Sequence, residues 1–335
     1  MVTITDVANA AGVAPSTVSY VISGKRSISP ETRRLVEQSI RKLGYHPHAG
    51  ARALASSKTN VLALVVPLRT DLNVAVVMQF VASVVTAARA HDYDLLLLTK
   101  DEGPAALQRV ASSAIADALI VMDVEADDPR VPMLLALDRP VVLIGAPDEP
   151  AGLTCVDLDF AAAGARCVNH LADLGHRSIA LVGPSPAVYQ RRTSYAGRFL
   201  RGFTEAAQAR RVSATSHSCA HSYEAVSSCL DELFAGDPGI TGLVVHNEAV
   251  LPALLSDLRH RGRRVPEDLS VVAICPESMA ENHAVSLTTV AIPAAEVGEL
   301  AVEMTIRHLG GQVAGEVRLL SPQLTQRSSS AAPPN

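Results

Sequence analysis

From Asn60 onward the chain repeats one pattern: a short unbroken apolar run, a polar turn, then an amphipathic stretch of helix length. The runs are VLALVVP (61–67), YDLLLLT (93–99), ALIVM (118–122), PVVLIG (140–145), SIALVGP (178–184), TGLVVHN (241–247) and LSVVAI (269–274). A strand that faces water on one side alternates apolar with polar residues, whereas a strand apolar at every position is covered on both faces. Strands separated by helices cannot close as hairpins, so they pair in parallel. Seven runs are enough for two such sheets. A further strand and helix, VSLTTVAIPAAEVGELAVEMTIRHL (285–309), are expected to return to the first sheet. Aromatic residues make up 3% of the chain and tryptophan is absent, so Ala, Val and Leu must build these cores.

Residues 1–58 read differently, as helices with no strand. Thr5 precedes a short helix, DVANAAG, that stops at Gly12. A second helix starts at Pro15, a residue suited to the first helical position because its missing N–H would be unpaired there anyway. Its stripe is Val18, Val21 and Ile22, and its outer face carries Ser16, Thr17, Ser19, Tyr20 and Ser23. A third helix opens at Ser29-Pro30, buries Leu35, Val36, Ile40 and Leu43, and ends before Gly44. Two short helices joined through a Gly-containing turn, the second polar outside, form a helix-turn-helix, whose second helix enters the DNA major groove.

The charge layout agrees. Residues 1–58 hold eight Lys/Arg against three acids, a net of +5, while the remainder nets −10. A basic head on an acidic body suits one module facing a polyanion. No apolar stretch reaches the roughly 20 residues of a membrane helix, and the N-terminal residues do not form a signal peptide. The five cysteines lack CxxC spacing, which fits reduced thiols and a cytoplasmic protein.

These features together resemble the LacI/GalR family of bacterial transcriptional regulators. The resemblance rests on VTITDVANAAGVAPSTVSYVISGKRSISPETRRLVEQSIRKLGYHPHAGARALAS at the head. It continues through VNHLADLGHRSIALVGP, RGFTEAAQARR, VPEDLSVVAI and LTTVAIP. It implies a helix-turn-helix domain (1–46), a hinge helix and linker (47–59) and a two-lobed, periplasmic-binding-protein-like α/β body (60–325). The first lobe would comprise about 60–158 and 290–320, the second about 159–289, with 326–335 a disordered tail. It also implies a homodimer on double-stranded DNA with a palindromic operator, controlled by a small-molecule effector, a sugar among the candidates. No cofactor, membrane association or enzymatic activity is implied. By the same resemblance Pro15, Ser16 and Tyr20 lie nearest the bases, and Thr5, Thr17, Ser19, Ser23 and Ser29 near the DNA backbone. Arg52 and Leu54 would belong to the hinge, Leu54 as a minor-groove wedge. Three departures stand out: Tyr20 replaces a frequent Arg, Ala14 replaces a capping Ser, and His48 stands where Asn is frequent in the hinge.

Ligands of such α/β bodies sit outside the carboxyl ends of the strands. That rule nominates Arg69, Asp71, Asn73, Gly145, Ser185, Tyr195, Arg198, Phe199, Asn247, Glu248, Cys275 and Glu277. Sugar-binding relatives carry Arg where this chain has Phe199, and Asp where it has Cys275 and often where it has Gly145. Either the effector is less hydroxylated than a simple sugar, or Arg69, Asp71, Arg198 and Glu277 rebuild the polar lining.

Other chemistries find less support. GPSPA (183–187) lacks the final glycine of a nucleophile elbow and a matching His/Asp pair. HSCAH (217–221) would place His217, Cys219 and His221 on one face of an extended strand, yet no fourth zinc ligand stands out. Phosphate-cradling glycine loops are absent from the sequence. A transporter's solute-binding protein would share the lobes but not the basic head, and a hydrolase would need a catalytic constellation.

Overall fold

A computed structural model describes residues 2–23, 26–45, 58–100, 103, 107–108, 115–312 and 315–334. The hinge positions Arg52 and Leu54, and the side chain of Ser23, lie outside what is described.

The head has three helices, α1 (Ile4–Ala11), α2 (Pro15–Ser23) and α3 (Pro30–Leu43). The helix starts earlier than expected, with Thr5 inside it, and Thr3 caps α1: its hydroxyl accepts from the Asp6 N–H while the Asp6 carboxylate accepts from the Thr3 N–H at 2.8 Å. These hydrogen bonds hold the Asp6 carboxyl below its ordinary range. Gly12 and Gly44 end α1 and α3 in the left-handed conformation that favours glycine. Val7, Ala8, Val18, Val21, Val36 and Tyr45 are buried together. Leu35, expected inside, is 41% exposed; Ser39 takes the inner position and bonds the Leu35 carbonyl at 2.9 Å.

Among the described residues the body contains two six-stranded sheets. The first joins β1 (Val61–Val65), β2 (Asp94–Leu98), β3 (Ala118–Val121), β4 (Val141–Ile144), β5 (Thr154–Leu158) and β11 (Val317–Leu320) in the order β11-β5-β4-β3-β1-β2. All its pairings are parallel. The second joins β6 (Ser178–Gly183), β7 (Ser213–Ser218), β8 (Gly242–Val245), β9 (Ser270–Cys275), β10 (Thr288–Ala291) and β12 (Leu324–Thr325) in the order β12-β10-β9-β8-β6-β7. Only β12 runs antiparallel. The polar strand SATSHS (β7) lies at an edge, mostly exposed, and so shows no apolar run.

Helices α4 (Val74–Ala90) and α12 (Ala294–Leu309) cover one face of the first sheet. The second sheet is covered by α6 (Phe160–Asp173) and α8 (Ser194–Arg210) on one face, and α9 (Tyr223–Gly236) and α10 (Leu251–His260) on the other. Shorter helices are α5 (Val131–Leu135), α7 (Pro186–Gln190) and α11 (Glu277–Glu281). The segment after His283 divides: β10 joins the second sheet beside β9, and only α12 returns to the first. Its buried Val297, Ala301 and Val302 match the apolar face left by β1, β3 and β4, while Val290 packs with Val272 and Ile274.

The expected disordered tail is instead docked on the second lobe. Ser329 is fully buried, accepting from the Thr288 N–H at 2.7 Å and donating to the Val271 carbonyl at 2.6 Å. Ser330 reaches His170 Nε2 at 2.9 Å and Thr288 Oγ1 at 2.8 Å. The polar composition that suggested disorder supplies the hydrogen bonds that close the open end of this sheet.

Candidate functional site

Two surfaces concentrate the functional side chains. On the head, α2 turns Val18 and Val21 into the core because they lie three residues apart on one helical face. The same rotation leaves Pro15 and Ser16 exposed and Thr17, Ser19 and Tyr20 half-exposed. Ala14 gives α2 only its backbone carbonyl, which accepts from Thr17 N–H at 2.9 Å. The Arg26 guanidinium lies 5.6 Å from the centre of the Tyr20 ring, a cation–π pairing that places a positive charge beside the outer face. Thr5 is exposed on α1. Ser29 is the cap of α3, accepting from Thr32 N–H at 3.2 Å and donating to Thr32 Oγ1 at 2.8 Å.

Between the lobes lies a cavity of about 160 Å³ at the carboxyl ends of both sheets. Of the nominated residues, Asp71, Asn73, Gly145, Tyr195, Asn247 and Glu248 line it. The apolar wall comes from the first lobe and α4: Val66, Val76, Val77, Phe80, Met122 and Ile144. The floor is aromatic. Phe160, Tyr195 and His246 lie 5.4–5.6 Å apart by ring centres, and Phe199 supports His246 from beneath at 4.1 Å. Burial drives His246 down to about 3, so its imidazole is neutral, and its Nδ1 has no partner. Burial also raises Glu248 and Tyr195, which favours their uncharged forms. Gly145 has φ +125°, and a Cβ there would sit 2.8 Å from Val124, which excludes the Asp that sugar-binding relatives often carry.

Ion pairs absorb most of the remaining polar nominees. Arg69 Nε meets Asp123 at 2.9 Å, Arg198 meets the buried Asp157, and Arg327 from the docked tail meets Glu277. Glu277 is thereby held by the tail, and Thr325 also donates to it at 3.0 Å. Cys275 is buried with its Sγ 3.4 Å from Thr289 Oγ1, and burial pushes its thiol up to about 11. Ser185 precedes α7 with its buried hydroxyl unpartnered. Asn247 donates to the Gly183 and Cys219 carbonyls at 3.2 and 2.8 Å, tying three strand ends together.

Asp123, Asp157, Phe160 and His221 line the cavity without having been nominated. Asp157 carried a weak signal, an acid one residue before the end of the strand TCVDL, whose polar positions break the apolar run. The HSCAH histidines separate: His217 faces Glu232 at 3.7 Å, Cys219 is buried in the lobe core, and His221 lines the cavity. Among the described residues no group of three His, Cys, Asp or Glu side chains is placed to hold a metal.

The two lobes are strapped together beside the cavity. Glu125 bridges to Thr193, Ser194 N–H donates to the Val124 carbonyl at 2.9 Å, and Ala126 N–H to the Arg192 carbonyl at 2.8 Å. Arg191 faces Asp71 across the lobes at 2.7 Å, without hydrogen-bond alignment. No helix among the described residues is long and apolar enough to cross a membrane.

Comparison with known proteins places both surfaces in context. Residues 3–48 match the model of bacterial regulatory proteins of the lacI family, and residues 168–330 that of a periplasmic binding protein-like domain. The HTH-type transcriptional regulator CelR of Thermobifida fusca is 29% identical over 329 residues, 94% of each chain. Catabolite control protein A of Priestia megaterium is 25% identical over 311 residues, 92% of each chain. Among solved structures, a transcriptional regulator CelR–cellobiose complex has a TM-score of 0.69 at 26% identity, covering 98% of this chain and all of that one. The lac repressor dimer bound to operator and the anti-inducer ONPF has a TM-score of 0.83 at 22% identity, covering 99% of each chain, a likeness of fold.

Proposed function

We propose, on the premise that this chain belongs to the LacI family of bacterial transcriptional regulators, that it represses transcription as a homodimer on a palindromic operator and is released by a small effector held between its lobes. The observation that carries the DNA-binding part is α2, whose apolar stripe is sunk in the head while Pro15, Ser16, Thr17, Ser19 and Tyr20 face outward. Hydroxyls on that face, with those of Thr5, Ser23 and Ser29, suit phosphate oxygens, and Pro15, Ser16 and Tyr20 suit base edges. Arg52 and Leu54 complete the contact as hinge residues. The protein works in the cytoplasm, where its DNA is.

Asp71, Asn73, Tyr195, Asn247 and Glu248 form the effector's polar contacts, and Gly145 lines the space beside them. Arg69, Arg198 and Glu277 are engaged by protein partners, Phe199 and Cys275 are core residues, and Ser185 supports the rim. With so few free polar groups and an aromatic floor, the effector is a ring compound less hydroxylated than a simple sugar. Buried hydroxyls without partners would cost too much for a simple hexose. Effector and operator act through a differential affinity for two arrangements of the lobes, so each weakens binding of the other.

The test is operator selection from random double-stranded DNA with the full-length protein, followed by a melting-temperature screen of sugars, glycosides and nucleosides. A palindromic consensus bound by a dimer, and a stabilising compound that lowers operator affinity, are expected. Failure to enrich any duplex sequence at low salt overturns the DNA-binding reading. A simple hexose as the best effector overturns the ligand reading alone.

A further inference from the structure

Behind the strap that joins the lobes is a second cavity, of about 230 Å³, which the inter-lobe site does not use. Its wall is the first two turns of α8 and the loop before it, with Arg192, Thr193, Arg198 and Arg201 on one side and Asp148 at the rim. Two of its polar groups are buried and unsatisfied. Thr193 is 1% exposed and its Oγ1 has no partner; Arg198 is 8% exposed and its Nη1 has none. Orphaned buried donors are rare because each forfeits the hydrogen bonds it had in water. Arg198 spends Nε on Ser194 Oγ at 3.2 Å and Nη2 on Asp157, so its remaining nitrogen is the one left over.

The electrostatics select the sign of the missing partner. Arg192 and Arg201 are exposed at the mouth, and neither has an ion-pair partner among the described residues. Among the described residues Asp148 is the only acid in the lining. The amino end of α8, a 17-residue helix whose cap residue Thr193 makes no side-chain hydrogen bond, adds a positive pole. A compact anion of several oxygens suits a cavity lined by Thr193 and Arg198 and flanked at its mouth by two planar guanidiniums, the geometry that suits phosphate.

We propose that this cavity is a second ligand site, for phosphate or the phosphate group of a small phosphomonoester. It is separate from the inter-lobe cleft but linked to it, because Arg198 lines one cavity while its partner Asp157 lines the other.

The experiment is calorimetric titration of the full-length protein with inorganic phosphate, and separately with glycerol phosphate, against sodium chloride at matched ionic strength. Saturable phosphate binding is expected. Arg201→Gln and Arg192→Asn are each expected to weaken it about tenfold or more, the loss of one charge-assisted contact. Arg192 has φ +56°, a conformation that Asn tolerates, and both positions are exposed, so the unliganded melting temperature is expected to stay unchanged. Glu248→Gln, in the inter-lobe cleft, is expected to leave phosphate affinity as it was. Tighter binding of glycerol phosphate would identify a phosphomonoester as the better occupant, and equal binding the free ion. The proposal is overturned if phosphate gives no saturable heat beyond chloride, or if the double arginine variant binds it like the wild type. It is also overturned if Glu248→Gln alone abolishes binding. None of these readings involves DNA, so the result is independent of operator recognition.

Discussion

Replacing Ser329 by alanine tests whether the C-terminal segment is part of the folded lobe. In the native chain its hydroxyl oxygen accepts from the Thr288 N–H at 2.7 Å and donates to the Val271 carbonyl at 2.6 Å. Both serine and threonine are fully buried. Alanine removes the donated bond, a net loss of about 1 kcal/mol, and leaves the Thr288 N–H without an acceptor, a further cost of about 1–3 kcal/mol. The sum is about 2–4 kcal/mol. At about 2–4 °C per kcal/mol for a cooperative unit of this size, the melting temperature falls by about 4–16 °C. Thermal unfolding by circular dichroism measures the shift, and guanidinium titration gives the free energy independently. Ser328→Ala is the control, since Ser328 is exposed and makes one 3.3 Å bond to the Ser286 carbonyl. That change stays within about 0.5 kcal/mol of wild type. If Ser329→Ala melts together with Ser328→Ala, the tail is not docked and the reasoning fails.

Gly202→Ala destabilises the second lobe by about 1–3 kcal/mol in denaturant titrations, because its Cβ would meet the Ala161 carbonyl at 1.9 Å and push α8 off α6. Gly197→Ala on the same helix meets nothing within 4 Å and is neutral or stabilising; equal behaviour of the two would refute the close-approach argument. Asp157 is raised to about 6 by burial, against the pull of Arg198, so the folded protein binds a proton there more tightly than the unfolded chain does. Its contribution to stability therefore falls as pH rises from about 4 to 6, and Asp157→Asn flattens that part of the curve; unchanged steepness in urea titrations over this range would contradict it. Tyr20→Arg changes the preferred base pair at its operator position and steepens the salt dependence of non-specific binding by no more than about one phosphate contact. An unaltered preference in a selection experiment would mean that another face of α2 reads the DNA.

The parts of this protein that were legible in the sequence are those set by neighbours along the chain. Pro15, Gly12, Gly44 and the Ser29-Pro30 start mark the helices of the head through local backbone chemistry, and Val18 and Val21 fix which face of α2 is sunk. Fully apolar strands such as GLVV and SVVAIC announce a parallel sheet covered on both sides. Strand-end position also placed Asp71, Asn73, Gly145, Tyr195, Asn247 and Glu248 at the cleft. What the sequence alone did not decide is the partner of each polar side chain. Arg198 and Phe199 are consecutive, yet the helical turn between them sends one to Asp157 on the other lobe and the other beneath His246. Glu277 follows a strand end as Asn247 does, but Arg327, fifty residues later, claims it. The serines of the tail read as disorder until β9 and β10 present the backbone groups they satisfy. Caps and apolar periodicity act over a few residues and survive in any fold, whereas ion pairs and buried hydrogen bonds depend on which distant segments the packed sheets bring within 3 Å.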